Sequence, residues 1–554
     1  MNGLFNQLVR LRMAWVRRTL WASFVRRTQD PAFFQQQALR SILRRNENTA
    51  FGRAHGFAGI GGSAEYATKV PIQTYEDLRP YIEKQEADKT PHLVAEQPVM
   101  YARTSGTTGK PKYIPLLAST IASYRRNQEI FSYCHYSAVP GIFSGKTLAF
   151  VSPAIEGRLP SGTPFGSMSG LIYQSTPKLL QRNYVIPPAV FECADSAVKY
   201  LLIAIFAAAE DSISYIAGAN PSTFLKIAEV IPARIESIIA AIRTGQLPGR
   251  EQLGPATHRV LQQAFGKNED RACVLERLAI NPERITLAAL WPKLKAISCW
   301  REGSCRLLLP ALQRQLPPGM PILEMGYLSS ECRGSLPVDS LRHLEVPTLH
   351  ENYFEFIERD AWESGSVRTC ALEHLEIGRL YYVIITTPAG LYRYFMNDIV
   401  MAGVRHGNTP TIKFLEKGTG ATNITGEKLY ESQVCDAVDA SVSGRSWHPA
   451  FFVMIADPAR QRYVFYLEAE GIAEDAFLNA FEAEIFARNL EYKAKRESGR
   501  LHPIELKRLR PGAGESFKAH LLAQGQREAQ FKFLRLQSLE KVTFDFDAQV
   551  DPLP

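Results

Sequence analysis

The sequence lacks any apolar run long enough to cross a bilayer, for which about 18 to 20 residues are needed. Its best run, residues 200–209, reaches about half that length and predicts a buried helix. The eight cysteines are scattered without a CxxC pair or a Cys/His cluster, which argues against a zinc site and against a secreted disulfide framework. We therefore expect a protein of a reducing, cytoplasmic compartment.

The sequence also lacks a strong charge of either sign. Lysine and arginine total 64 against 56 acidic residues, and the resulting +8 over 554 residues is too small for a nucleic-acid footprint. We therefore expect no nucleic-acid partner. A hydrophobic content of 45% with 22% charged residues excludes a disordered or collagen-like chain. At roughly 100 to 200 residues per domain, the length allows about three to five domain-sized units.

The N-terminus is basic, with six arginines before its first acidic residue, Asp30. These arginines interrupt any signal-peptide core. Trp15, Leu20, Trp21 and Phe24 can share one helical face, which permits weak contact with an anionic membrane surface. Packing of this helix on its own domain is the favoured interpretation.

Helix-like and strand-like segments alternate irregularly over the first four hundred residues, which predicts a mixed α/β (α+β) fold. Helices are predicted at residues 31–45, 194–210 and 221–244, and strands at 147–151, 296–300, 321–324, 351–357 and 380–387. After EKGTG (416–420) a smaller unit begins, with a helix at 431–442, strands at 451–455 and 463–468 and a helix at 474–495. We place the domain boundary at Lys417 and Gly418, which gives domains 1–416 and 417–554.

The most informative stretch is ARTSGTTGKPKYIP, residues 102–115. The loop contains three hydroxyl residues and a glycine: Ser105, Gly106, Thr107 and Thr108. Because glycine has no side chain to obstruct them, backbone amides and hydroxyls can converge on phosphate oxygens. A Walker loop cannot be fitted to this string. The ordinary alternative for such a loop is a polar surface turn, but the full TSGTTGxPK string resembles the signature of the adenylate-forming superfamily, which includes acyl-CoA synthetases, peptide-synthetase adenylation domains and luciferases.

A second segment, EMGYLSSECRG at residues 324–334, also resembles that superfamily. The resemblance implies that Tyr327 lies against the adenine of ATP and that Glu331 holds Mg²⁺. Magnesium is typically bound by one or two carboxylates together with phosphate oxygens, so a single glutamate suits that role.

Within this segment, the string YLSSE resembles the corresponding string of one branch of the superfamily. That branch is the auxin-responsive family of plant acyl-acid amido synthetases with its bacterial relatives. TTPAGLYRYFMNDIVMAGV, residues 386–404, resembles the TxxGLYRYRVGDV segment of that family. The resemblance implies that Asp398 accepts hydrogen bonds from both ribose hydroxyls. Phe395, Met396 and Asn397 depart from the Arg, Val and Gly of the family pattern.

The C-terminal part carries two further candidates. In QREAQFKFLRL, Lys532 resembles the lysine of the family string QYKTPR, which implies a position against the α-phosphate and the acyl carboxylate. Lys428, in ITGEKLYESQV, is a weaker candidate for a nucleotide contact. The resemblance covers nearly the whole chain and implies a large N-terminal domain of mixed sheets, a barrel-like portion and helices, followed by a small mobile α/β cap.

The activity implied is ATP-dependent acyl-acid amido synthesis. A carboxylic acid is adenylated, and the acyl group then passes to an amine such as an amino acid. Two alternatives stay open: an acyl-CoA or carrier-protein ligase, and an inactive nucleotide-binding protein. The sequence does not identify the acid, but Tyr133, Tyr136, residues 165–168 and Ser329 are candidates for the acid pocket.

Overall fold

The computed structural model describes residues 2–104, 111–174, 181–445, 447–526 and 531–551. The chain folds into two compact units. The first comprises Met1–Arg301, Leu308–Met396 and Met401–Lys413, and the second comprises Glu302–Leu307, Asn397–Val400 and Phe414–Pro554.

A parallel sheet of four short strands lies in the core of the first unit. In sheet order its strands are Lys146–Ala149, Ile213–Ala217, Ala296–Cys299 and Ile322–Glu324. Helices cover such sheets on their faces, and here the apolar helix Ser196–Ala209 shares one core with the sheet and with Trp291. The indole Nε1 of Trp291 donates a hydrogen bond to the carbonyl of Ala207 at 3.0 Å, so its buried polar atom is satisfied.

Three other sheets hold further strands of the first unit. One has the order Lys112–Leu116, Met100–Thr104, Pro164–Gly166 and Gly157–Arg158, and a second pairs Leu344–Pro347 with Ser335–Asp339. The third has the order Cys370–Ala371, Tyr353–Glu358, Leu380–Thr386, Tyr394–His406 and Thr409–Lys417. The last two strands of this third sheet each contain residues of both units.

The helices of the first unit surround these sheets. Their bounds are Asn2–Val16, the π-helical turn Arg17–Trp21, Ala22–Arg27, Pro31–Asn46, Ala50–Ala54, Ser63–Lys69, Tyr75–Asp88, Ala118–Ala138, Met168–Gln174, Pro188–Phe191, Ser196–Ala209, Pro221–Ala233, Ile235–Thr244, Arg250–Leu253, Pro255–Ala264, Glu269–Ala279, Leu287–Leu290, Leu309–Arg314 and Arg359–Glu363. Within the described ranges, no helix combines the length and the apolarity that a membrane span requires.

The second unit is built on a sheet with the order Glu505–Arg508, Arg462–Glu470, His448–Asp457 and Leu536–Ser538. Successive side chains of its central strand alternate between two cores, with Phe452 and Met454 in one and Phe451 and Val453 in the other. The remaining elements are the helices Glu431–Val442, Glu474–Arg488, Leu490–Glu497 and Ala513–Ala523 and the paired strands Ala421–Thr422 and Leu429–Tyr430.

The predicted elements are present with ends shifted by a few residues, and the helix at 431–442 has the bounds predicted for it. Two predictions of a single continuous helix are wrong. Residues 221–244 form two helices separated at Arg234. Pro232, just before the break, has no N–H for the helical hydrogen-bond ladder.

The predicted helix 474–495 is also divided, at Asn489. The side-chain oxygen of Asn489 accepts a hydrogen bond from the N–H of Tyr492 at 2.8 Å, which caps the start of the following helix. Asparagine at this position favours a new helix start over helix continuation.

Candidate active site

The segment 324–334 follows the carboxyl end of the last parallel strand, the edge at which open α/β sheets bind ligands. The carboxylate of Glu324 holds the start of this segment. It accepts hydrogen bonds from the backbone N–H of Arg301 at 2.7 Å and of Met325 at 2.8 Å. The segment is therefore fixed to the sheet at its first residue.

Tyr327 is buried and its backbone is fully engaged. Its N–H donates to Ser335 Oγ at 2.7 Å, and its carbonyl accepts from the N–H of Gly334 at 2.7 Å. A Cβ at Gly334 would lie 2.3 Å from Tyr327 Cδ1, so the tyrosine ring packs directly on this glycine. The ring predicted to lie against adenine thus has a defined position in the protein itself.

Ser329 shapes the turn that carries Glu331. Its hydroxyl oxygen accepts hydrogen bonds from the N–H groups of Glu331 at 3.2 Å and of Cys332 at 3.3 Å. Its own N–H donates to the carbonyl of Cys332 at 3.0 Å. Such side-chain to backbone bonds replace regular secondary structure in tight turns.

A cavity of about 490 Å³ in the first unit is bordered by Ser330 and Glu331. The helix Ala118–Ala138, called the cavity helix below, contributes Tyr124 and Asn127 to its wall. Among the described residues, the carboxylate of Glu331 has no hydrogen-bond or ion-pair partner, so it is available to a ligand or metal.

The N-terminal helices form another wall of the cavity, with Phe24 and Arg27 among the lining residues. Trp21 packs on Tyr133 of the cavity helix with ring centroids 5.7 Å apart, and Phe24 packs on His350 at 5.8 Å. This basic segment therefore packs on its own unit, as the favoured interpretation predicts. The N-terminal segment has no recognisable motif that indicates its position beside the cavity, so this position was not predicted from the sequence.

A carboxylate and an imidazole lie next to each other in this wall, with Oε1 of Glu351 3.6 Å from Nε2 of His350 and side chains that are only 16% and 13% exposed. Burial raises the pKa of Glu351, whereas a hydrogen bond from Asn127 Nδ2 at 2.7 Å and the nearby guanidiniums of Arg126 and Arg27 oppose that rise. Burial, followed by the same two arginines, lowers the pKa of His350 to about 3, so this histidine is neutral at pH 7. These charges were not predicted from the sequence either.

The candidate acid-pocket residues have different positions in the structure. Met168 lines the cavity. Tyr133 packs against Trp21, as described above, and Tyr136 stacks on Phe143 with ring centroids 6.4 Å apart.

Asp398 belongs to the second unit and is only 2% exposed. Its Oδ1 lies 2.5 Å from Nζ of Lys417, whose side chain is 54% exposed. The carboxylate predicted to bind ribose is therefore held by a lysine at the predicted domain boundary. No sequence pattern predicts this pairing, because the two residues are 19 positions apart on different strands.

Arg393, in the LYRY string, has a structural role in the first unit. Its Nε and Nη2 each lie 2.9 Å from an oxygen of Glu355, and its Nη1 donates to the carbonyls of Ala67 and Val70 at 2.8 Å. Both side chains of the ion pair are buried, so the bidentate geometry and the extra acceptors compensate for lost hydration.

The two candidate lysines also lie in the second unit. Asn489 Nδ2 donates to the carbonyl of Lys428 at 2.7 Å, which ties this segment to the start of a helix. Nζ of Lys532 lies 5.0 Å from the ring centroid of Phe414, within the range of a cation–π contact. Of the predicted site residues, Tyr327 and Glu331 thus belong to the first unit, and Asp398, Lys428 and Lys532 to the second.

The predicted phosphate loop, Ser105, Gly106, Thr107 and Thr108, lies outside the described residues. The two strands that flank it form an antiparallel pair in which Thr104 is opposite Lys112.

Comparison with known proteins gives one consistent result. The family models described as the GH3 family N-terminal, central and C-terminal domains match residues 21–322, 346–417 and 432–541. Among curated relatives, indole-3-acetic acid-amido synthetase GH3.15 of Arabidopsis thaliana is 25% identical, with 93% of this chain and 92% of the relative covered. Jasmonoyl-L-amino acid synthetase GH3.5 of Oryza sativa subsp. japonica is 26% identical, with 91% and 92% covered.

Solved structures agree with this fold. The structure described as GH3.15 acyl acid amido synthetase superposes with a TM-score of 0.82 at 24% identity and covers 95% of both chains. A 2-hydroxyisobutyryl-CoA ligase in the postadenylation state reaches a TM-score of 0.51 at 12% identity, with 92% of this chain and 91% of the ligase covered. The predicted mixed α/β fold with a large N-terminal part and a C-terminal domain is confirmed.

Proposed function

This chain belongs to the GH3 family, and from that membership we propose that it is an ATP-dependent acyl-acid amido synthetase. In the first step a carboxylate oxygen of the acid attacks the α-phosphorus of ATP, the bond to the bridging oxygen breaks, and pyrophosphate leaves. In the second step the nitrogen of an amino acid attacks the acyl carbon and loses a proton, and AMP leaves. The protein contributes alignment and charge stabilisation, and no covalent bond to a side chain is needed.

The observation that carries this proposal is that Glu331, whose carboxylate has no partner within the described ranges, borders a cavity that can hold a small acid. Cavities of 300 to 1,000 Å³ are typical of small-molecule sites, and this one measures about 490 Å³. Tyr327, held on Gly334 beside the same turn, would lie against the adenine. Asp398 would accept the ribose hydroxyls, and Ser105, Gly106, Thr107 and Thr108 would cradle the phosphates, with Lys428 as a further nucleotide contact.

Glu331 fits a Mg²⁺ ion that accompanies ATP. Within the described ranges no three His, Cys, Asp or Glu side chains are grouped as a metal site, but magnesium in nucleotide enzymes typically uses one or two carboxylates with phosphate oxygens and water. When bound there, Mg²⁺ would neutralise negative charge on the phosphates. Glu331 would hold the ion, and Lys532 would supply a second positive charge during adenylation.

We also propose that residues 1–416 form the adenylating domain and residues 417–554 a cap that rotates between the two steps about Lys417 and Gly418. The cap would bring Lys532 to the phosphates for adenylation and then admit the amine.

All eight cysteines are free of disulfides, which supports a cytoplasmic setting.

The proposal is tested by measuring pyrophosphate release from ATP over a panel of aromatic and aliphatic acids, followed by mass spectrometry with mixed amino acids. Glu331→Gln should lower acid-dependent release by about tenfold to a hundredfold, because a charged interaction of about 1.5 to 3 kcal/mol is lost. The matched control is Glu283→Gln, an exposed glutamate in the first unit. Acid-independent pyrophosphate release, or equal rates in both variants, would contradict the proposal.

A further inference from the structure

Arg333 is a buried cation in the cavity wall. It is 3% exposed, follows Glu331 and Cys332 in the chain, and lines the same cavity. Its guanidinium carbon lies 4.5 Å from the ring centroid of Phe131 on the cavity helix. Among the described residues it makes one hydrogen bond, from Nη2 to the carbonyl of Met325 at 3.2 Å.

The hydrogen-bonding capacity of Arg333 is largely unused. A guanidinium has five N–H donors, and Nε of Arg333 is buried without a partner among the described residues. No described carboxylate forms an ion pair with it. The nearby carboxylate of Glu345 accepts hydrogen bonds from Ser335 Oγ at 2.7 Å and from the N–H of Tyr327 at 3.1 Å.

The other charged residues that line the cavity do not balance the positive charge of Arg333. Three further guanidiniums, from Arg27, Arg45 and Arg126, line the cavity. The two carboxylates among its described lining residues are Glu331 and Glu351. Arg27 and Arg126 already act on Glu351, whose pKa is raised by burial. The cavity is therefore short of negative charge at the point where Arg333 is buried.

A buried cation without an anionic partner is costly, and the usual compensation is a carboxylate that accepts two hydrogen bonds from the guanidinium. A monocarboxylic acid cannot supply that partner while its carboxylate attacks ATP, because a guanidinium clamped on both oxygens would make them poorer nucleophiles. Arg333 is also buried, whereas Glu331, the proposed ion-binding residue, is partly exposed. Their different exposures separate an inner charged point from an outer one, at which the phosphates are proposed to bind.

Building on the proposed function, we propose that the acid substrate is a dicarboxylate, one carboxylate of which is adenylated while the other pairs with Arg333. Ile130 and Met168 line the cavity and provide apolar surface for the spacer between the two carboxylates. Arg333 is then the residue that selects diacids over monoacids.

The test compares matched acids of equal length: heptanedioate with heptanoate, and terephthalate with 4-methylbenzoate. For wild type we expect kcat/KM for pyrophosphate release to favour the diacid of each pair by about tenfold or more, as expected for a charge-assisted hydrogen bond. Arg333→Met should abolish that preference by lowering diacid use about tenfold to a hundredfold while leaving monoacid use unchanged or raised. Arg333→Lys, which keeps the charge, should retain part of the preference.

Arg125→Met is the matched control, because Arg125 is an exposed arginine of the cavity helix outside the cavity lining. It should keep the wild-type preference. Calorimetric titration of wild type with each acid in the absence of ATP gives a readout independent of turnover and of any variant. Wild-type preference for monoacids, or an equal loss of both classes in Arg333→Met, would overturn the dicarboxylate assignment. If no acid releases pyrophosphate, the proposed function fails, whereas tighter calorimetric binding of the diacids would still support the role of Arg333.

Discussion

The proposed ribose-binding residue Asp398 is a buried acid paired with a partly exposed lysine, Lys417. A carboxylate that is 2% exposed needs a positive or hydrogen-bonding partner, and Lys417 provides one at 2.5 Å. Because the lysine side chain is half in solvent, the proposed binding of ribose hydroxyls to the carboxylate would not require displacing a fully buried cation.

Asp398→Ala should raise the KM for ATP by about tenfold to a hundredfold, because the ribose loses a charged acceptor. Lys417→Met should have a smaller effect, since both carboxylate oxygens remain. Both variants are measured by initial rates of pyrophosphate release at saturating acid. An unchanged KM for ATP in folded Asp398→Ala would show that this aspartate does not bind ribose.

Asn397 departs from the family pattern, but its backbone conformation is compatible with the proposed site at Asp398. Its φ is +54°, a left-handed conformation for which the family has glycine. Asparagine adopts this region more readily than other side chains except glycine. The substitution therefore preserves the backbone that presents Asp398, and it gives no support to the alternative of an inactive nucleotide-binding protein.

At the scale of the element, the turn 324–334 depends on the contact between Gly334 and the ring of Tyr327. Gly334→Ala would insert a methyl group 2.3 Å from Tyr327 Cδ1 and force the ring or the turn to move. The free energy of unfolding should fall by about 1 to 3 kcal/mol, as in other overpacked sites, and the KM for ATP should rise.

The control for Gly334→Ala is Gly266→Ala, where no described atom beyond the adjacent residues lies within 4 Å of the added methyl group. Its unfolding free energy should stay within about 0.5 kcal/mol of wild type. Urea denaturation and ATP titration measure both quantities. Indistinguishable behaviour of the two variants would contradict the role assigned to this contact.

Elements with strong local signals could be predicted from the sequence, and those that depend on tertiary contacts could not. The helix at 431–442 has its predicted bounds, whereas the break at Asn489 depends on a side-chain cap that periodicity does not reveal. Tyr327 and Glu331 were proposed as site residues through their motif. Arg27 and Lys417 were missed because the carboxylates near them, Glu351 and Asp398, lie on other segments of the chain. Arg333 was missed because its burial against Phe131 depends on tertiary packing.

At the scale of the whole molecule, the proposed cap movement predicts that Lys532 acts in adenylation but not in amide formation. Lys532→Ala should slow adenylate formation strongly and leave amide formation from synthetic acyl-adenylate nearly intact, since the lysine is proposed to contact the α-phosphate only during adenylation. Single-turnover measurement of each half-reaction separates the two effects.

Lys541→Ala, at an exposed lysine of the same C-terminal region, is the control for Lys532→Ala and should leave both half-reactions unchanged. Equal loss of both half-reactions in folded Lys532→Ala would show that this lysine is not specific to adenylation.

The central claim is that the activated acyl group passes to an amine. The most direct measurement supplies wild-type protein with ATP, Mg²⁺, an acid that supports pyrophosphate release, and equal concentrations of mixed amino acids and coenzyme A, and quantifies the products by mass spectrometry. An amido synthetase should yield the amino-acid amide as the main product with little thioester. Predominant thioester would contradict the account and assign the chain to acyl-CoA ligase chemistry.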